Sequence, residues 1–236
     1  MKARYFVTSP FFALALLAGC ASTEVTEQQI YDGEKLARPD RIIVEDFAVT
    51  PDDLPEGSAV ASHAAGTTPQ TPEEVEDGRK LADELAKRLV ADLQEAGLPA
   101  VHAAGQPPPQ VGDIVIKGSF ITVDEGSAGN RIMVGFGAGT SDLQTVVEGY
   151  EMTAQGLRRL ASAEVTSEGG KTPGMVAPLA VAAATANPIG LIVVGGLKLS
   201  GEATGSSTIE GRADATADEI ADKIKKAAEK QGWIAS

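Results

Sequence analysis

Cysteine is almost missing from this chain: of its 236 residues, one is cysteine, Cys20. Without a second thiol no internal disulfide can form, even in a compartment that would allow one. Histidine is nearly as scarce, since His63 and His102 are the only two, and no H-x-x-x-H or comparable ligand spacing joins them. Both are expected in loops as surface side chains, and no metal site is expected. No G-x-S-x-G turn occurs, so no serine stands in the setting that makes a nucleophile. Aromatic residues amount to 4%, which leaves the core to Val, Ile, Leu and Ala in close backbone contact. Basic residues are in deficit, 20 Lys and Arg against 33 Asp and Glu, for a formal net charge of −13. That balance argues against nucleic acid and against electrostatic attraction to anionic lipid.

Long apolar runs are also few. The first, Phe11 to Ala18, follows a charged n-region of Lys2 and Arg4 and is too short to span a bilayer, where about 20 apolar residues are needed. It ends in Leu17-Ala18-Gly19-Cys20, which resembles the bacterial lipobox. The resemblance implies a lipoprotein signal peptide over residues 1–19, cleavage before Cys20, diacylglycerol on the Cys20 sulfur and a fatty acyl chain such as palmitate on the new N-terminus. Ala21 follows, with no aspartate of the kind that retains many lipoproteins at the inner membrane. The expected address is therefore the outer membrane, lipid-anchored and facing the periplasm. Loss of Lys2 and Arg4 would bring the mature charge to about −15.

Beyond the anchor, residues 20–40 are polar and are expected to form a flexible tether, followed by a single domain over residues 41–236. Ile42 to Phe47 is β-branched and bounded by Pro39 and Pro51, which predicts a strand. Thr71-Pro72-Glu73-Glu74 combines an N-cap, proline at the first helical position and a capping-box glutamate. Leu81, Leu85, Leu89 and Leu93 then recur at helical spacing before Gly97. Strands are predicted over Leu98 to His102, Asp113 to Asp124, Arg131 to Val134 and Asp142 to Ala154, with Leu157 to Val165 returning as a hairpin partner. A second helix is expected from Ser207-Thr208-Ile209-Glu210, another capping box, with Ile209, Ala213, Ala217, Ile220, Ile224 and Ala227 on its apolar face. The pattern predicts an α+β fold: a single mixed or antiparallel sheet with two main amphipathic helices packed on it. To this is added an Ala/Gly-rich uncharged segment, Thr172 to Leu197.

Few segments could carry chemistry. Gly135, Gly137 and Gly139 form a Gly-rich turn after a predicted strand, a shape that can hold phosphate on backbone N–H groups. However, the lysine of the Walker pattern is replaced by Gly139, and no helix is expected to open there. Asp124, Glu125 and Arg131 lie around one turn. Adjacent acids in a strand point to opposite faces, so an interaction or structural turn with a local ion pair is expected rather than acid–base catalysis. Thr172 to Leu197 is long enough to span a membrane, but Pro178, Pro188, Gly190, Gly195 and Gly196 interrupt it. Burial on protein is the expectation, with membrane contact left open. No catalytic residue and no cofactor is identified.

Several motifs recur together in one family: Ile42-x-Val44-x-Asp46-Phe47, Gly78-x-x-Leu81-Ala82-x-x-Leu85, Gly118-x-Phe120-x-x-Val123-Asp124-Glu125-Gly126, Asn130-Arg131, Gly135-Phe136-Gly137-Ala138-Gly139 and Gly232-Trp233. Over roughly Arg41 to Ile234 the chain resembles the bacterial lipoproteins called domain of unknown function 4410. The resemblance implies an envelope lipoprotein and supplies no activity or ligand. The expected function is that of a non-enzymatic binding or accessory component of the cell envelope, held by acyl chains, with an envelope protein or a second copy as partner. The alternative is a subunit of an envelope export or transport machine.

Overall fold

The structure is a computed structural model, and it describes residues 22–29, 31, 33–54, 71–124, 141–168 and 208–235. Six strands and two long helices appear among them. In chain order these are β1 (Ser22–Gln29), β2 (Ile42–Val44), α1 (Pro72–Glu95), β3 (Ala100–His102), β4 (Ile114–Asp124), β5 (Asp142–Thr153), β6 (Gly156–Glu168) and α2 (Ile209–Gln231). The strands form one sheet in the order β1-β6-β5-β4-β2-β3. β4, β5, β6 and β1 run as an antiparallel meander, whereas β2 lies parallel to both β3 and β4. The expected α+β fold with a mixed sheet and two helices is therefore what the chain forms.

The first helix has the predicted ends. The Thr71 side chain accepts from the Glu74 N–H, and the Glu74 carboxylate accepts from the Thr71 N–H at 2.8 Å. Leu81, Leu85, Leu89 and Leu93 are all fully buried, each contributing roughly 1.5–3 kcal/mol of apolar burial. α1 covers the β2–β3 side of the sheet, and α2 lies beside α1 over β5, β6 and β1. Both helices and the inward residues Ile42, Val44, Ile114, Ile116, Phe120, Leu143, Val147 and Val165 form one apolar cluster. A register shift between Phe120 and Thr122 re-phases β4, so that Val123 as well as Phe120 faces this cluster.

Three expectations are corrected in detail. Residues 20–40 do not form a free tether throughout, because Ser22–Gln29 pairs antiparallel with β6, and the Thr23 and Ser167 hydroxyls meet at 2.9 Å. Leu36 is also clasped to the end of α2: its N–H donates to Gln231 Oε1, and its carbonyl accepts from Trp233 Nε1 at 3.0 Å. A polar strand at a sheet edge has the composition of a linker. Its place in the sheet comes from the backbone groups that β6 presents. The cap of α2 is Thr208, which accepts from the Gly211 N–H at 3.1 Å; the third helical residue is Gly211, so no capping box forms. The apolar face of α2 ends on buried Ala228 rather than Ala227, and it carries the fully buried Arg212. The predicted strand Arg131–Val134 lies outside the described residues.

Candidate functional site

Across one end of the sheet the register aligns four strand ends. Ser22 of β1 stands opposite Glu168 of β6, Glu168 opposite Asp142 of β5, and Asp142 opposite Asp124 of β4. Asp124, singled out from sequence, is therefore a cross-strand neighbour of Asp142. The buried Arg212 on the first turns of α2 belongs to the same end. Burial pushes its guanidinium below its usual range, and the Asp142 charge opposes that shift. The other predicted turn residues, Glu125, Arg131, Gly135, Gly137 and Gly139, lie outside the described residues, as do Leu17, Ala18, Gly19, Cys20, His63 and the segment Thr172 to Leu197.

A second cluster escaped sequence reasoning. β2 and β3 are parallel neighbours with Val44 opposite His102, and the Ala103 N–H donates to the Val44 carbonyl at 2.8 Å. This pairing sets His102 against Asp46, just past β2, with Nε2 and Oδ1 at 2.6 Å. Asp83, projecting from α1, completes the group: one ligand-competent atom from each of Asp46, Asp83 and His102 lies within 4.8 Å of the others. His102 is thus a hydrogen-bonded side chain, 18% exposed, at a strand end rather than a loop histidine on the open surface. The Lys87 ammonium sits at the rim, 2.6 Å from Asp83. Its hydrogen bond to Asp83, helped by the charges of Asp46 and Glu84, holds its pKa above the usual range.

On the sheet face away from the apolar cluster, Glu148 is buried and bonded to Arg159 at 3.1 Å. Lys117 donates to Glu45 at 2.5 Å. Burial pushes the Tyr150 phenol up to about 12, and the neighbouring Glu148 carboxylate adds to the shift. These are paired charges that tie strands together. Between the helices, Arg88 bridges Asp218 at 2.9 Å and Asp92 at 3.1 Å, lining a shallow cleft with Glu95, Asp222 and Lys225.

Comparison with known proteins adds the family. The profile described as "Domain of unknown function (DUF4410)" matches residues 42–186. The chain belongs to this family. The match begins at β2 and ends before α2, so it covers less than the resemblance over Arg41 to Ile234 implied. Among solved structures, the PelC dodecamer from Paraburkholderia phytofirmans is similar at 12% identity over 86% of this chain and 98% of that chain, with a TM-score of 0.44. A point variant of the same dodecamer gives 16% identity, coverage of 69% and 90%, and a TM-score of 0.37. No curated protein matches this one.

Proposed function

We propose that this DUF4410 protein is a non-enzymatic lipoprotein, anchored through Cys20 in the outer membrane and facing the periplasm, whose α+β domain binds another envelope component beside the bilayer. One observation carries this reading: β1 begins at Ser22, two residues after the lipobox cysteine. Two residues reach at most about 7 Å. An acyl-modified Cys20 would therefore hold the sheet end formed by Ser22, Glu168, Asp142 and Asp124 close to the membrane, with no long tether between. A membrane-proximal domain of about −15 net charge is repelled by anionic headgroups and depends on its acyl chains to stay there.

Cys20→Ser should leave an unacylated protein that fails to fractionate with the outer membrane. Crosslinking in cells followed by mass spectrometry should recover one envelope protein, or a second copy, from the wild type and lose it in the variant. Outer-membrane fractionation of Cys20→Ser with labelled fatty acid still incorporated would refute the anchor. Recovery of a form that starts after Cys20, and so carries no acyl chain, in a large assembly still needing detergent for extraction would favour a transport-machine subunit.

A further inference from the structure

We infer that Asp46, Asp83 and His102 form a binding site for a divalent transition-metal ion of the zinc type, with Lys87 as its competing cation. The donor set is one imidazole nitrogen and two carboxylate oxygens, drawn from three separate elements: the end of β2, α1 and the end of β3. Three protein ligands with a fourth position open to water is the arrangement of accessible zinc sites, whereas calcium requires six to eight oxygens. Imidazole in the set favours zinc and its first-row neighbours over magnesium or calcium.

The distances fit with small movements. Ligands about 2.0–2.2 Å from a tetrahedral ion stand roughly 3.4 Å from one another. Here the ligand atoms lie within 4.8 Å of one another, and the closest pair, His102 Nε2 and Asp46 Oδ1, must open from 2.6 Å. Asp46 and Asp83 are 54% and 38% exposed, so both carboxylates can adjust, while strand pairing holds His102 in place. In the hydrogen-bonded state Nε2 carries the proton that Asp46 accepts. A metal takes that position when the imidazole holds its proton on Nδ1 instead.

Lys87 supplies the second observation. Its ammonium makes an i,i+4 pair with Asp83 at 2.6 Å and also feels the charge of Asp46, so the acids of the cluster already share one cation. Lys87 is 60% exposed on a flexible stem, and a metal ion can displace it into solvent.

The test is calorimetric titration of Zn2+ into the purified, tag-free protein. One ion per chain is expected, with little heat from Ca2+. Asp83→Asn, at a half-buried position of α1, should weaken zinc by at least about tenfold, as should His102→Ala. Lys87→Met should tighten it, an effect that loss of folding cannot imitate. With only two histidines in the chain, NMR should show zinc moving the His102 imidazole resonances, and His63→Ala should leave binding unchanged. The inference is overturned if the wild type gives no zinc heat, if Asp83→Asn and Lys87→Met both leave affinity unchanged, or if His63→Ala alone abolishes binding.

Discussion

Gly118 offers a clean test of how the sheet meets the chain after β2. A Cβ built at Gly118 would overlap the phenyl ring of Phe47. That ring cannot withdraw easily. It is 2% exposed, packs tilted against Phe120 at a centroid distance of 5.8 Å, and the adjoining backbone is stapled to β4. The Ala48 N–H donates to the Gly118 carbonyl at 2.8 Å, and the Phe120 N–H to the Ala48 carbonyl at 3.1 Å. Gly118→Ala therefore overpacks a closed site, at a cost of about 1–3 kcal/mol. The smaller unfolded-state entropy of alanine offsets roughly 0.4–1 kcal/mol of this. Phe47→Ala alone should cost about 3–5 kcal/mol, but it also removes the obstacle, so adding Gly118→Ala to it should cost nothing further. The double-mutant cycle should thus give a coupling of about 1–3 kcal/mol. Gly149→Ala is the control, because its Cβ would meet only Ile116 Cδ1 at 3.7 Å; it should stay within about 0.5 kcal/mol. Urea unfolding followed by circular dichroism measures all four variants. Equal costs of Gly118→Ala in the two backgrounds would refute the packing described here.

The docked face of α1 predicts that Leu85→Ala or Leu89→Ala costs about 2–5 kcal/mol, whereas Lys87→Ala, on the exposed face, stays within about 0.5 kcal/mol; equal small losses at all three in urea unfolding would mean that the helix is not docked. Tyr150 predicts an alkaline effect: the unfolded phenol ionises near pH 10, but the folded one is held up to about 12 by burial and then by Glu148. Its contribution is complete below pH 10 and is lost as pH rises towards about 12, so urea midpoints of Tyr150→Phe should fall less steeply over that window, and parallel curves would refute the assignment.

Local signals carried most of the element boundaries. Thr71-Pro72-Glu73-Glu74 marks the start of α1 because each of its features acts within one helical turn, and the structure repeats it bond for bond. The hairpin of β5 and β6 forms as expected but turns at Ala154-Gln155, one residue before the expected Gln155-Gly156, with Gly156 in the left-handed region (φ +112°) opposite Thr153. Where local and distant forces disagree, sequence reading falls short. Ser22 to Gln29 is polar enough to be solvated alone, and only the open edge of β6 turns it into a strand. One residue separates the Ser207 cap expected for α2 from the Thr208 cap observed; adjacent hydroxyls give the same local signal, so the sequence alone does not separate them.

Sites assembled across strands are harder still. Asp124 was visible as an acid near a turn, yet its opposition to Asp142 depends on the bulge after Phe120, which shifts the β4 register by one. Asp46 and His102 lie 56 residues apart in the chain, and nothing in their spacing relates them. Their meeting follows from strand order. A β2–α1–β3 crossover makes β2 and β3 parallel, and their register sets Val44 beside His102. Asp46, two residues beyond Val44, then emerges at the strand end where β3 delivers the imidazole, on the side roofed by α1. Asp83 and Lys87 are one turn apart on that helix and so face the same gap. Given the pairing, the cluster is a consequence of three ordinary elements; without it, a lone histidine and scattered acids have the statistics of any acidic surface. A strand transposition that moved β2 away from β3 would keep every local motif intact and dissolve the cluster, which is why the motifs alone could not disclose it.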